Sequence, residues 1–199
     1  MNIKRFIGGT LESNGYVIYQ KEGAGCLVID PGYNPGKFIR YINEMGLTLD
    51  GILLTHCHHD HVGGVANIKE AFDCPVYLHR GDMDQYKGPV DIPLEGGEEI
   101  PLGGERIKVI HTPGHTAGGI CYYSEKSKLA FTGDTIFNVD LGRTDLEGGS
   151  EERMTATCRD IINQWSNEIF IYPGHGDGCT MKQVREINRE FLALAGDRP

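Results

Sequence analysis

The feature that most constrains this chain is a dense run of metal-binding side chains directly after a short hydrophobic segment. The segment Ile52–Leu54 has the character of a buried strand, and His56, His58, Asp60 and His61 follow it closely. Imidazole and carboxylate groups are the ligands that first-row divalent metals prefer. The run lies in the interior of the sequence, whereas a purification tag lies at a terminus. It therefore predicts a metal centre at the end of a strand.

The spacing within this run predicts two metals rather than one. Alternate residues of an extended segment share a face, so we expect His56 and His58 to bind the same ion. Asp60 and His61 lie where the chain is expected to bend into a helix, and this bend turns them toward a second ion. Cys57 should point to the opposite face from its two histidine neighbours, so we expect it not to bind metal.

The remaining ligands are expected on loops that follow other strand-like segments. His115, Asp134 and His175 each follow a hydrophobic segment, and each is surrounded by small residues that favour tight turns. Any one of them alone would be a weak signal, since a single His or Asp in such a turn is more often a turn or capping residue. Together with the run at 56–61 they indicate a complete ligand set.

Asp30 ends another hydrophobic segment, Gly25–Ile29. A residue at this point has two interpretations of equal weight. It is either a turn residue at the end of the strand, or an acid that orients a metal-binding histidine through a hydrogen bond.

These motifs, in this order, resemble the metallo-β-lactamase superfamily and, within it, the small glyoxalase II-like hydrolases. The resemblance covers nearly the whole chain and rests on six motifs: Asp30-Pro31-Gly32, the run at 56–61, Pro113-Gly114-His115-Thr116, Gly133-Asp134-Thr135, Gly142-Arg143-Thr144-Asp145 and Pro173-Gly174-His175-Gly176. It implies an α+β fold, a four-layer αββα sandwich. The order of strand-like and helix-like segments alone would predict only an α/β or α+β protein.

The resemblance also implies how the ligands are shared. One metal would be held by His56, His58 and His115, and the other by Asp60, His61 and His175, with Asp134 bridging the two. We expect two divalent ions, zinc first, while iron or manganese would suit the same ligands. Water bound between two such ions is a nucleophile at neutral pH, so the expected activity is metal-dependent hydrolysis by a bridging hydroxide. Asp60 is the expected catalytic residue, because it can orient that hydroxide and accept its proton.

Arg143 is the candidate substrate-binding residue. It lies in the loop where glyoxalase II enzymes carry a basic residue that contacts glutathione, and a guanidinium suits a carboxylate well. The chain shows no counterpart of the C-terminal helical extension that supplies much of the glutathione binding in full-length glyoxalase II. We therefore expect a thioester hydrolase of the hydroxyacylglutathione type, acting on a small anionic substrate, without naming one substrate.

Three other functions fit the same residues. A persulfide dioxygenase resembles this pattern with a single Fe(II) held by His56, His115 and Asp134. A lactonase or phosphodiesterase would use the two-metal centre on a different ester. A metal-binding scaffold or sensor is the non-enzymatic alternative, and a missing ligand would mark it. No ligand position departs from the family pattern.

Composition excludes several classes of partner. A chain of 199 residues is expected to form one domain, 1–199, and its formal net charge of −9 argues against nucleic acid. No segment approaches the roughly 20 apolar residues of a membrane span, and the N-terminus lacks the pattern of a signal peptide. We expect a cytoplasmic protein that has no membrane partner and whose six cysteines are reduced.

Two predicted helices bear on the site. The pattern predicts a helix over Val62–Phe72, where Gly63 and Gly64 would let the first turn approach the metals. A closing helix is predicted over Met181–Leu194. It carries three cations on nearly one side, which we interpret as a solvated face: Lys182, Arg185 and Arg189.

Overall fold

The computed structural model describes residues 1–196 and arranges their strands in two sheets. The first sheet is built by the first half of the chain, with its strands in sequence order: β1 (Asn2–Gly8), β2 (Ser13–Tyr19), β3 (Gly25–Ile29), β4 (Thr48–Leu53), β5 (Val76–His79) and β6 (Ile92–Leu94). Strands β1 to β3 pair antiparallel, and β3 to β6 pair parallel.

The second sheet is built by the second half of the chain. It contains β7 (Glu99–Leu102), β8 (Glu105–His111), β9 (Ile120–Ser124), β10 (Leu129–Gly133), β11 (Phe170–Pro173) and β12 (Cys179–Thr180). Its strands also lie in sequence order from β7 to β12. Only the β10–β11 pair is parallel within this described sheet. Strands β8, β10 and β11 therefore run the same way and end at the same edge.

Helices form the two outer layers. In chain order they are α1 (Pro35–Glu44), α2 (His59–Val62), α3 (Val65–Phe72), a 3₁₀ turn (Arg80–Asp82), α4 (Glu151–Ala156), a π-helical turn (Thr157–Ile161), a second 3₁₀ turn (Ile162–Gln164), α5 (Met181–Ile187) and α6 (Arg189–Ala195). Helices α1 and α3 pack on the first sheet, while α4 to α6 pack on the second.

Strand alternation explains the layers. In β2, Tyr16 and Ile18 face the second sheet and pack among residues such as Phe131, whereas Val17 and Tyr19 face helices α1 and α3. Successive side chains of a strand point to opposite faces, so a strand buried on both faces needs apolar residues at every position. Burying a side chain such as Phe131 stabilises the fold by about 1.5–3 kcal/mol. The predicted αββα sandwich is confirmed.

The helix predicted over Val62–Phe72 is broken into α2 and α3 at the glycine pair. The backbone N–H of Gly64 donates to Pro31 O at 2.8 Å, and a Cβ on Gly64 would lie 2.4 Å from that oxygen. A Cβ on Gly63 would lie 2.6 Å from Gly32 O. The two glycines therefore make room for the loop after β3, and that they let the first helical turn approach the metals stays a prediction.

The closing helix predicted over Met181–Leu194 is broken at Asn188. This buried residue has extended backbone angles, and its side-chain oxygen caps α6 by accepting from Phe191 N at 2.9 Å. Its side-chain nitrogen donates to the carbonyls of Phe137 and Asp140 at 3.1 and 2.8 Å. The Asn188 side chain thus both caps α6 and binds two loop carbonyls, so one helix ends at this residue and the next begins.

The interpretation of the three cations as a solvated face is correct for two of them. Lys182 and Arg189 are exposed. Arg185 instead donates to the carbonyls of Asn163 and Trp165, at 3.0 and 2.8 Å, and fastens α5 to the preceding turn. A guanidinium has enough donors to bind several carbonyls at once, which a charge pattern in the sequence does not reveal.

Two further structural findings concern the cysteines and the length of the helices. All six cysteines are buried and none forms a disulfide. Within residues 1–196, no helix has both the length and the apolar character needed to cross a membrane.

Candidate metal centre

The site lies at one edge of the sandwich, where β4, β8, β10 and β11 end. The carbonyl of Thr55, just after β4, accepts from Ile120 N at the start of β9 at 2.9 Å and so joins the two sheets at this edge. Each of the four strands continues into a loop or helix start that carries candidate ligands. Distant parts of the sequence therefore converge because the ends of these strands meet.

His56, His58 and His115 form the first cluster. Their ring nitrogens lie within 4.8 Å of one another. His58 Nδ1 and His115 Nε2 are 2.9 Å apart, and the rings of His56 and His58 lie 4.8 Å apart between centroids. His56 and His115 are buried. The extended backbone after β4 thus places His56 and His58 on one side, as the spacing predicts.

Asp60, His61 and His175 form the second cluster, also with ligand atoms within 4.8 Å of one another. Asp60 and His61 lie in the first turn of α2, and His175 follows β11. Asp60 Oδ2 lies 3.3 Å from His61 Nε2 and 3.2 Å from His175 Nε2. The bend into α2 therefore brings Asp60 and His61 to His175, while the His61 ring stays 4.2 Å from the His56 ring of the first cluster, between centroids.

Asp134 lies between the two clusters. Its Oδ1 is 3.4 Å from His61 Nε2, and its Oδ2 is 3.4 Å from His175 Nε2 and 3.6 Å from His115 Nε2. Gly174 makes room for this approach, since a Cβ there would lie 2.1 Å from Asp134 Oδ1. The structure thus brings all seven predicted side chains together, with one carboxylate in contact with both groups.

The imidazoles are oriented as metal ligands usually are. His115 Nδ1 donates to Arg143 O at 2.7 Å, His175 Nδ1 donates to Leu11 O at 2.9 Å, and His61 Nδ1 faces Asp30 Oδ2 at 3.1 Å. A histidine ligand typically donates its outer N–H in this way, which leaves the lone pair of its other nitrogen directed at the metal. In all three residues that inner nitrogen is Nε2, and it points into the cluster.

Two buried atoms at the centre have no hydrogen-bond partner among the described residues. They are His56 Nε2 and Asp134 Oδ1, one from the first cluster and one from the bridging position. Leaving a buried polar atom unpaired costs about 1–3 kcal/mol, so such atoms need an explanation. A divalent cation bound by these two atoms and their neighbours provides one, and the donor set fits it.

The electrostatics of the two clusters differ. Burial, together with the neighbouring imidazoles, lowers the pKa of His56 and of His58. Burial also opposes the charged form of His175, but Asp134 and Asp60 outweigh it and raise the pKa of His175 to about 10. Contacts with the imidazoles outweigh burial and hold the pKa of the Asp60 and Asp134 carboxyls below the usual range. Both acids are therefore ionised at neutral pH and available to a cation.

Asp30 combines its two possible roles. Its backbone has φ 47°, the left-handed conformation of a turn residue. Its carboxylate also accepts from Thr55 N at 2.8 Å and faces His61 Nδ1. One buried side chain therefore holds both the start of the run at 56–61 and a histidine of the second cluster.

Cys57 stands apart from the ligands. Its sulfur lies 3.5 Å from Gln85 Oε1, and no ligand cluster found among residues 1–196 includes it. Burial raises the pKa of the Cys57 thiol to about 12, so it is protonated at neutral pH. A metal-binding cysteine is a thiolate.

Arg143 lies at the rim of the site. With His115, Asp134 and His175 it lines a cavity of about 410 Å³. Its guanidinium is well exposed and grips the Asp145 carboxylate through two bonds of 2.7 and 2.8 Å. The Arg143 side chain thus lies beside the candidate metal centre, and its guanidinium binds the Asp145 carboxylate in a bidentate manner.

Sequence reasoning did not identify the residues that hold the His175 loop. Asn14 Nδ2 donates to the carbonyls of Pro173 and Gly176 at 3.0 and 2.8 Å, and Tyr16 Oη donates to Pro173 O at 2.7 Å. These contacts link residues about 160 positions apart, so no local motif reveals them. The two polar residues that begin strand β2, Ser13 and Asn14, are the one available signal.

Comparison with known proteins agrees with this geometry. Residues 8–175 match the family model of the metallo-beta-lactamase superfamily. The probable metallo-hydrolase YqgX of Bacillus subtilis (strain 168) is 32% identical over 193 residues, which cover 88% of this chain and 90% of that protein. The chain therefore belongs to the metallo-β-lactamase superfamily. It is a metal-dependent hydrolase of that superfamily.

Two solved structures are similar over almost the entire chain. The BLEG-1 B3 metallo-beta-lactamase has a TM-score of 0.89 and 30% identity, with 98% of this chain and 100% of that chain covered. TTHA1623 in a di-iron-bound form has a TM-score of 0.83 and 34% identity, with 94% and 98% covered. The second of these structures holds iron in the same fold.

Proposed function

We propose that the protein hydrolyses small anionic thioesters of the hydroxyacylglutathione type, at a centre of two divalent metal ions. The observation that carries the proposal is the position of Asp134, whose carboxylate lies within 3.6 Å of histidines from both clusters. A site for one metal would not need a second complete group of ligands on the other side of that carboxylate. This favours two-metal hydrolysis over the single-iron dioxygenase.

The ligands would divide as the two clusters do. His56, His58 and His115 would hold one ion and Asp60, His61 and His175 the other, with Asp134 shared. Two ions bound in this way would activate water and polarise the substrate carbonyl. Zinc is the expected metal for imidazole and carboxylate ligands, and the di-iron form of TTHA1623 supports iron as the second possibility.

Asp60 is the proposed catalytic residue. It is ionised, and its carboxylate lies 3.3 Å from His61 Nε2 and 3.2 Å from His175 Nε2, where it can orient an attacking water and take up its proton. The reaction adds water across the C–S bond, so that the acyl carbon gains the hydroxyl and the departing sulfur gains the proton. A protonated Asp60 could return that proton to the leaving thiolate.

Arg143 is the proposed binding residue for the substrate carboxylate. It borders the cavity next to His115 and Asp134, and its two bonds to the Asp145 carboxylate support bidentate binding of a substrate carboxylate. A substrate would have to displace Asp145, an exposed partner whose ion pair is screened by solvent and contributes little to stability. We propose a small molecule as the substrate, with no nucleic acid and no membrane partner.

Metal analysis combined with a substrate comparison tests this proposal. We expect protein purified under native conditions to hold two divalent ions per chain and to hydrolyse S-lactoylglutathione with release of a thiol. A neutral thioester should be hydrolysed less efficiently. One iron per chain, with oxygen consumption in the presence of a persulfide and no thioester hydrolysis, would contradict the proposal and identify a dioxygenase.

A further inference from the structure

A fully buried carboxylate outside the ligand set lies beside the first cluster. Asp82 ends the 3₁₀ turn after β5 and has no exposed surface. It accepts three hydrogen bonds: Oδ2 from Cys57 N at 3.1 Å and from Thr116 Oγ1 at 2.8 Å, and Oδ1 from Gly118 N at 2.6 Å. All three donors are neutral, and two of them are backbone N–H groups whose directions are fixed by the chain. The position of the carboxylate is therefore set by hydrogen bonds and not by a neighbouring charge.

The donors belong to the two segments that carry the ligands of the first cluster. Cys57 lies between His56 and His58, and Thr116 directly follows His115. These two segments are about 60 residues apart in the sequence, and one carboxylate spans them. The second cluster is held differently, by Asp30 and by the carbonyl of Leu11.

Close packing leaves this carboxylate little freedom to move. A Cβ on Gly118 would lie 2.7 Å from atoms of Asp82, and a Cβ on Gly81 would lie 2.9 Å from Ala117 O. The 3₁₀ turn and the loop after His115 are therefore in direct backbone contact. A shift of Asp82 would therefore move both the segment at 56–58 and the loop after His115, because the glycines at this contact have no flexible side chain that could adjust.

We propose that Asp82 is a positioning residue that sets the spacing between the 56–58 segment and His115, and with it the metal affinity of the first cluster. The inference rests on the proposed two-metal centre. We expect Asp82 to change the affinity of the first cluster for its metal and to leave the affinity of the second cluster unchanged. Nothing in the sequence distinguishes Asp82, since it lies in an ordinary polar segment between strands.

Asp82→Asn is the most informative substitution because it keeps the size of the side chain. The amide has one accepting end and one donating end. In either orientation its NH₂ group faces a backbone N–H, that of Cys57 or that of Gly118, and a backbone N–H cannot rotate away. One of the two segments is therefore released. Thr116→Val, which removes only the hydroxyl, should have a smaller effect.

The test is a titration of metal-free protein with Co²⁺, followed by the visible absorption of the bound ion. His58→Ala and His175→Ala identify which spectral component belongs to which cluster. We expect Asp82→Asn to weaken the component that His58→Ala removes by about 10- to 100-fold, and to change the other component less than about threefold. Thr116→Val should shift the same component by less.

A matched control separates positioning from general stability. Asp91 is another carboxylate that binds a backbone N–H of the same strand region, that of Val76, at 2.9 Å. Asp91→Asn should lower the unfolding temperature of the metal-free protein and leave both cobalt components unchanged. The proposal is overturned if Asp82→Asn leaves both affinities unchanged, weakens both equally, or weakens only the component that His175→Ala removes. Wild-type protein that binds a single Co²⁺ would refute the two-metal centre. Weaker binding of that ion in Asp82→Asn would then still support Asp82 as its positioning residue, and unchanged binding would overturn that role.

Discussion

The two ends of the sandwich bury polar groups in opposite ways. At the metal end, His56 Nε2 and Asp134 Oδ1 are buried without a hydrogen-bond partner among the described residues. At the other end, where β8 begins, the buried Glu105 accepts from Gln20 Nε2 at 2.6 Å and from the Ser124 hydroxyl. The first end needs something from outside the chain to satisfy it, and the second end is already satisfied.

This difference separates function from folding. Complete hydrogen bonding fixes a structure, while incomplete bonding at one place marks a site that binds a ligand. Strand β8 connects the two, since it starts at Glu105 and ends just before the loop that carries His115. Substitutions at the metal end should therefore change metal content and activity, and substitutions at the other end should change only stability.

Asp134→Ala should have the largest effect. It removes the carboxylate that contacts both clusters, and with it the negative charge between two cations. Loss of one or both metals removes several kcal/mol of transition-state stabilisation, so we expect thioester hydrolysis to fall roughly a thousandfold or more. Elemental analysis gives the metal content of the variant, and kinetics on the same preparation give its kcat/KM. A variant with two bound metals and full activity would show that Asp134 does not bridge.

The contrast between local and distant signals explains what the sequence could predict. The run at 56–61 is local, and the loops around His115, Asp134 and His175 are recognisable because each follows a strand, so the seven candidate side chains that cluster could be selected from the sequence. The αββα sandwich comes from the family resemblance, since the order of segments alone predicts only an α/β or α+β protein. The helix breaks could not. They depend on Pro31 O at Gly64 and on the carbonyls bound by Asn188, which come from elements distant in the sequence.

The same limit applies to the residues that support the site. Asp82, Asn14 and Arg185 act through backbone groups that lie 20 or more positions away. Their side chains resemble ordinary surface residues in the sequence, since an acid or a cation is more often solvated than buried. Only the folded structure shows which polar residues are enclosed.

Arg143→Ala should have an intermediate effect, confined to the substrate. Loss of a charge-assisted contact should lower kcat/KM for an anionic thioester by about ten- to a hundredfold. KM should rise while metal content stays the same, and a neutral thioester should be affected much less. Kinetics on both substrates give the comparison.

Asp145→Ala is the control for Arg143→Ala, because it removes the other member of the same ion pair. It frees the guanidinium from its present carboxylate, so KM for the anionic thioester should fall slightly, by up to about fivefold for an exposed ion pair. Equal losses on charged and neutral substrates in Arg143→Ala, or no loss on either, would exclude Arg143 from substrate binding.

Glu105→Ala should have the smallest effect on activity and a clear effect on stability. It leaves the donors of Gln20 and Ser124 unpaired in a buried place, which should lower the free energy of unfolding at pH 7 by about 1–3 kcal/mol. Metal content and kcat/KM should stay at wild-type values, because no ligand lies near Glu105. Glu125→Ala, which removes an exposed carboxylate paired with Lys108, should change the free energy of unfolding much less than Glu105→Ala does.

The pH dependence of the same variant tests its cause. Burial opposes ionisation of Glu105, but the hydrogen bonds from Ser124, Ser127 and Gln20 outweigh it and hold the pKa below its ordinary value of 4.5. A carboxyl whose pKa is depressed in the folded state adds stability above its unfolded pKa and loses it as the pH falls through the folded pKa. The stability difference between wild type and Glu105→Ala should therefore be constant from neutral pH down to about 5 and then shrink. Urea unfolding of metal-free protein across this range measures it. A difference that stays constant into acid would show that packing, rather than the ionised carboxylate, holds this end of the sandwich together.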